Sequence, residues 1–441
     1  MTDGAGPSLP AAADLTGEAI VRHLSLADRV RVEHLGDSRD GRPIQMVSIG
    51  EGPHSALIVG APHPNEPTGC LTVLRMLAHL ADSPGQVGDE LACWEWHFIP
   101  AIDIDGIALN QGWFGASPDL GAYLTHFFRP PFRLQPEYSF PIELPQYQFR
   151  QSTPENLCWQ RALEITRPRL QCALHGADTG GAFFILSEDH PGLADELAGL
   201  PGRFGVSLNE VGEPLAEMAA YRPGMFSFPS IPDILAREVP TGSAPGSSWQ
   251  AGDSSADFAR ERFGTYSMTC EVPLWRDARE GKTAPSDRTL GEVFDERIFL
   301  LREEVTLVGQ WLPALAPLNN SFQAESIVAS LADSVPAAVG TISALEKTRP
   351  SGSADRRLAV RELVWFEAGT YALRIPALLL RLARITQTLE AQSAARTVLE
   401  ARLAAYRRAT ALSAIPLTQT TGLQMAAVMA AARLLGSEGC A

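Results

Sequence analysis

One pattern constrains this chain more than any other: a short apolar run that ends, four times over, on a residue able to do chemistry. In "IVGAPHPNEPTG" the run Ile58-Val59-Gly60-Ala61 leads into His63-Pro64-Asn65-Glu66. "LACWEWHFIP" ends at Pro100 and is followed by Asp103 and Asp105-Gly106, "RLQCALHG" ends on His175, and "TYSMTCEVPLW" carries Glu271. Short apolar runs bounded by Gly and Pro read as buried strands. Strands that alternate with helical stretches across some 300 residues imply an α/β domain, whose ligands collect at the carboxyl ends of the strands. All four polar endings fall at such positions.

A chain of 441 residues with 45% hydrophobic content can bury a large core and has room for two or three domains. Its formal net charge of −15 tells against nucleic acid as a partner, because phosphate binding needs a basic face. The first fifteen residues lack the basic start of a secretory signal, and no window approaches eighteen uncharged apolar residues. The expectation is therefore a cytoplasmic protein without a membrane partner. Six scattered cysteines form no Cys-x-x-Cys pair, which suggests small buried apolar residues rather than a disulfide framework or a thiolate metal site.

Strand signals fade beyond Asn320, where Ala, Leu and Arg dominate and basic residues outnumber acidic ones, thirteen to nine. Leu378, Leu382, Ile385, Leu389, Leu399, Leu403 and Tyr406 mark a helical stripe. The expected division is a flexible N-terminus over 1–17, an α/β domain over 18–318 and an all-helical domain over 319–441. That last domain would serve as a cap or as the interface of a homo-oligomer.

A catalytic zinc site needs three protein ligands and one open position, commonly two His and one carboxylate. His63, Glu66 and His175 supply such a set, and a nearby carboxylate such as Glu271 suits a general base. The order His63-x-x-Glu66, His175, Glu271 resembles the zinc carboxypeptidases of the M14 family. "LGDSRDGRPIQMVSIG", "IPAIDIDG" and "STPENLCWQRAL" resemble further motifs of that family, in the right order, and the resemblance runs from about Gly17 to Leu315.

The resemblance implies a mixed, twisted sheet flanked by helices, with one Zn2+ per chain bound by His63, Glu66 and His175. Glu271 would activate water and carry its proton to the leaving amine. Arg129, in "FFRPP", would hold the terminal carboxylate of the substrate through a two-pronged hydrogen bond. Trp249 falls at the position of a mobile aromatic lid, and Ala256, beside Asp257, at the pocket floor. The sequence also departs from the family. No Arg lies between Gly106 and Phe128, where an oxyanion-stabilising Arg is expected, which leaves Asn110 or Gln111 as neutral donors, or Arg133 or Arg150 as replacements. Phe128 and Asp103 each stand where the family usually has Asn.

The implied activity is hydrolysis of the amide bond next to a free carboxylate in a small peptide or peptide-like metabolite. A deacylase acting on an N-acyl amino acid or a biosynthetic intermediate, and a binding module without catalysis, are the competing readings.

Overall fold

The computed structural model describes residues 7–26, 29–82, 93–212, 218–238, 250–318, 321–348 and 355–436. Trp249 lies outside them. The centre is a nine-stranded sheet. From one edge to the other its strands run Arg31–Asp37, Pro43–Ile49, Trp94–Ile99, His54–Gly60, Leu170–Ala177, Tyr266–Pro273, Phe183–Leu186, Met225–Ser227 and Ala220–Arg222. The four strands Trp94–Ile99, His54–Gly60, Leu170–Ala177 and Tyr266–Pro273 are mutually parallel, and both flanks contain antiparallel pairs. The sheet is thus mixed, as expected, with a parallel centre.

Strand His54–Gly60 reads as an unbroken apolar run from Ala56 onward because both its faces are covered. Ala56, Leu57, Ile58 and Val59 are fully buried. Helices Thr68–Asp82 and Pro191–Arg203 contribute to one core with Ile58, Cys172 and Cys270, while Leu57, Val59 and Ala173 pack with helix Pro154–Thr166 in another. Cys70, Cys158, Cys172 and Cys270 are free and buried, matching the expected small apolar role. Cys93 is disulfide-bonded, an exception that the scattered spacing does not reveal.

The packing divides the chain differently from a boundary near 318. Strand Trp275–Asp277, just beyond the interior strand Tyr266–Pro273, pairs with Leu412–Ala414, so the chain leaves the central sheet after 273 and returns beside its point of departure. Between these points lie helices Leu290–Leu315, Phe322–Thr348, Val360–Ala368, Tyr371–Ile385 and Leu389–Ala409. Most of them share a core built around Leu307, Ile327, Leu331, Leu378 and Leu382. The final helix, Leu417–Gly436, belongs instead to the sheet's own core, through Leu423, Ala427 and Val428. At the other end, Leu9, Ala12 and Leu15 are buried, so residues 7–17 are packed rather than flexible.

Two stretches, Phe322–Lys347 and Val360–Ile385, are long and apolar enough to cross a membrane, where the sequence reading expected no such window. The second is interrupted between Ala368 and Tyr371, and 56% of its apolar window is buried against the rest of the protein.

Candidate metal centre

The turn after strand His54–Gly60 is braced by the motifs around it. Gly60 can have no side chain, since a Cβ there would stand 2.3 Å from the Pro100 carbonyl oxygen. Ala61 then takes a left-handed φ of 48°, a conformation that costs energy in a non-glycine residue and aims the following turn. Gly106 packs directly on Pro64, where a Cβ would meet the proline ring at 2.5 Å.

Asp105, beside Gly106, accepts from the Ser38 hydroxyl at 2.7 Å, the Asp40 N–H at 2.9 Å and Arg42 at 2.7 Å. Glu155, in the "PENL" helix start, accepts from the backbone N–H and the side chain of Arg39 at 2.9 and 3.1 Å. "DSRDGRP", "IDIDG" and "PENL" therefore form one buried polar knot behind the turn that carries His63 and Glu66.

Strand register completes the cluster. Glu271 stands directly opposite His175 on the neighbouring parallel strand, and Gly60 opposite Leu174. The ligand atoms of His63, Glu66 and His175 all lie within 4.8 Å of one another, and all three residues are buried. Nδ1 of His63 and Nδ1 of His175 point at the same Glu66 oxygen, Oε2, at 3.1 and 3.2 Å, and the Gly176 N–H donates to that oxygen at 3.1 Å. Glu271 Oε1 lies 3.7 Å from His175 Nδ1.

Glu137 is a member of the cluster that the sequence does not announce. It sits in the one-turn segment Pro136–Tyr138, inside the long loop from Phe128 to Thr153. Its carboxylate faces the other nitrogen of both imidazoles, 3.5 Å from His63 Nε2 and 3.1 Å from His175 Nε2. A carboxylate on the far ring nitrogen fixes the tautomer and tilt of a metal-binding imidazole. Here one carboxylate serves both. The neighbouring Tyr138 ring stacks along His63 with centroids 6.0 Å apart and forms a wall. Only the length of the Phe128–Thr153 loop hinted at a functional role, and loop length picks out no residue.

Charge explains why the cluster suits a cation. Glu66, Glu137 and Glu271 are all buried. Burial opposes ionisation of Glu66, but His63 and Arg129 hold its carboxyl well below the usual range. Burial pushes His63 down to about 4, with Arg129 adding to the effect. Burial also works against the charged form of His175, yet Glu137, Glu66 and Glu271 together raise it well above its ordinary value. Three buried carboxylates around two imidazoles and one guanidinium leave surplus negative charge, which a divalent cation neutralises. Two His nitrogens and one carboxylate oxygen fit zinc.

The substrate-binding expectations fare unevenly. Arg129 does reach the cluster: its Nη1 donates to Glu66 Oε1 at 2.8 Å. It therefore stands beside the candidate ligand cluster, bonded to Glu66. Asn110 is not a neutral donor to substrate, because its amide already donates to the Gly106 and Phe128 carbonyls and accepts from Phe128 N–H and Trp113. It fastens the backbone just before Arg129. Gln111 is exposed, and its side-chain oxygen accepts from Ala12 N–H at 3.4 Å.

Arg133 is paired with Asp333 at 2.9 Å, and Arg150 is exposed and bonded to Glu143 at 2.7 Å, so neither replaces the missing arginine. Ala256 is buried near the start of helix Ser255–Phe263, next to Ser255, whose hydroxyl lies 3.4 Å from Glu137. The cavity of about 380 Å³ nearby is lined by Asp253, Asp257 and Arg260 rather than by Ala256.

Fold and donor set together define a class: an α/β protein with a buried site of two His and one carboxylate at the carboxyl ends of its central parallel strands. Residues 19–117 match the model of peptidase family M14, zinc carboxypeptidase. His175 and Glu271 lie beyond the matched span and join it through the fold.

Among solved structures, the metallo-carboxypeptidase from Burkholderia cenocepacia is 16% identical, with a TM-score of 0.33 over 74% of this chain and 68% of that one. Carboxypeptidase A from Helicoverpa armigera is 15% identical, with a TM-score of 0.36 over 60% of this chain and 65% of that one. The metallo-carboxypeptidase from Pseudomonas aeruginosa, in complex with (2-guanidinoethylmercapto)succinic acid, is 19% identical, with a TM-score of 0.33 over 58% of this chain and 60% of that one. The search of curated proteins returns no match.

Proposed function

We propose that this protein is a zinc-dependent hydrolase that cleaves the amide bond next to a free carboxylate in a small peptide or peptide-like metabolite. The observation that carries the reading is the convergence of His63, Glu66 and His175 within 4.8 Å, with Glu271 at the edge of the cluster. A zinc ion held by these three residues would supply Lewis-acid polarisation of the scissile carbonyl and a more acidic water.

The chain's own residues do the rest. Glu271 takes a proton from the attacking water on its carboxylate and returns it to the departing amine. Glu137 holds both imidazoles in the tautomer that leaves Nδ1 free to ligate. Arg129 meets negative charge on the substrate beside the metal, and among the described residues it is the arginine that contacts the cluster. Its loop is held by Ser330, whose hydroxyl donates to the Arg129 carbonyl at 2.8 Å, and by Arg381, which donates to the His126 and Phe127 carbonyls at 2.8 and 3.2 Å.

The test pairs zinc content with release of C-terminal residues from short peptides. Glu271→Gln is expected to retain zinc and lose about 10²- to 10⁴-fold in turnover; full activity in that variant sinks the mechanism. Arg129→Ala separates two roles. A rise in KM at constant kcat marks a carboxylate anchor, and a fall in kcat at constant KM marks charge stabilisation in the transition state.

A further inference from the structure

The final helix carries one polar side chain between Leu423 and Ala432, and it is Gln424, which is fully buried. An amide among Leu423, Ala427 and Val428 is costly unless its polar atoms find partners. Here they do. Gln424 Nε2 donates to the backbone carbonyl of His175 at 2.7 Å and to that of Cys270 at 3.2 Å, and its Oε1 accepts from the Thr72 hydroxyl at 2.7 Å. Thr72 lies in the helix that begins at Thr68, just after Glu66, and Cys270 immediately precedes Glu271.

One amide thus ties together the three separate segments that carry His63 and Glu66, His175, and Glu271. Packing alone needs no such residue, since Leu or Met would fill the volume.

We propose that Gln424 is a positioning residue for the metal centre, setting the spacing of the ligand-bearing segments from behind the sheet. This rests on the metal-site reading of His63, Glu66 and His175. It also gives the last helix a part in that site, distinct from a cap or a docking surface.

The experiment measures the dissociation constant for zinc by competition with a chromophoric chelator, alongside thermal melting of the metal-free protein. Wild type, Gln424→Met, Thr72→Val and Arg75→Ala are compared. Gln424→Met is expected to weaken zinc binding about 10- to 100-fold, the range seen when outer-shell partners of metal ligands are lost. Thr72→Val, which removes one of the three bonds, should weaken it less.

Arg75→Ala is the control: Arg75, on the same helix as Thr72, bonds Thr421 and the Thr418 carbonyl of the final helix but hydrogen-bonds neither the His175 strand nor the Glu271 strand. It should lower the melting temperature and leave zinc affinity unchanged. Gln424→Met that melts lower but binds zinc like wild type overturns the proposal, because a purely structural residue behaves that way. If Gln424→Met does not fold, Thr72→Val decides, and unchanged affinity there overturns it equally. Wild-type protein that takes up no zinc overturns the metal-site reading and this proposal with it.

Discussion

Helices Phe322–Thr348 and Leu417–Gly436 are both rich in Ala and share Leu, Val and Thr, yet the fold uses them in opposite ways. Of the apolar window in the first, 17% is buried. In the second, Leu423, Ala427, Val428, Ala430, Ala431 and Ala432 are entirely buried against the central sheet. The first touches the site at one remove, through Ser330 and Asp333 on the Arg129 loop. The second reaches the backbone of His175, a member of the candidate metal site. An apolar helical stripe says that something covers it and leaves open what does, because the hydrophobic effect has no direction.

The sharpest way to break this comparison is to truncate a buried side chain of the last helix. Leu423→Ala should cost about 2–5 kcal/mol by leaving a cavity in a closed core. If chemical denaturation instead finds less than about 1 kcal/mol, the last helix is not part of the sheet's core.

Arg381→Met comes next. It removes the donor to the Leu109, His126 and Phe127 carbonyls and should cost about 1–3 kcal/mol, while lowering turnover through a looser Arg129 loop. Zinc content should stay at the wild-type level. A loss of zinc would show that the helical layer supports the ligands as well.

A pH series probes the knot behind the His63 turn. Burial is the main force that raises Asp103 to about 7. The folded state therefore binds more protons than the unfolded chain between roughly pH 4 and 7, so this group's contribution to stability falls as pH rises through that window. Asp103→Asn should flatten the pH dependence of the denaturation midpoint there, by on the order of 1 kcal/mol or more. An unchanged slope would mean that Asp103 is ionised throughout.

The smallest effect is expected at Leu389, which is 73% exposed although it falls on the predicted stripe. Leu389→Ala should change stability by less than about 0.5 kcal/mol, and a larger loss would reveal a partner on that face.

Much of the site was legible because its residues sit where strands end. His63, Glu66, His175 and Glu271 are marked by apolar runs, and an apolar run that stops at a polar residue reports both a buried strand and the place where it opens to solvent. The supporting motifs were legible as a set, and the structure shows why: Ser38, Arg39, Asp105 and Glu155 satisfy one another. Asn110 misled because its residue type suits a donor while its bonds are already spent on Phe128 and Gly106. Glu137 was silent because a carboxylate in a loop carries no periodic signal, and its role depends on a turn that places it behind two imidazoles.

Local pattern determined the strands, the helices and the order of the ligands along the chain, since periodicity and backbone preference act over a few residues. Only the tertiary structure decided which helices would cover the sheet and that Arg129 would stand against Glu66. Only it brought Gln424 from 249 residues away to the carbonyl of His175. Those contacts depend on long-range closure, where the gain from burying apolar surface and satisfying buried polar groups is set by the whole fold and by no single segment.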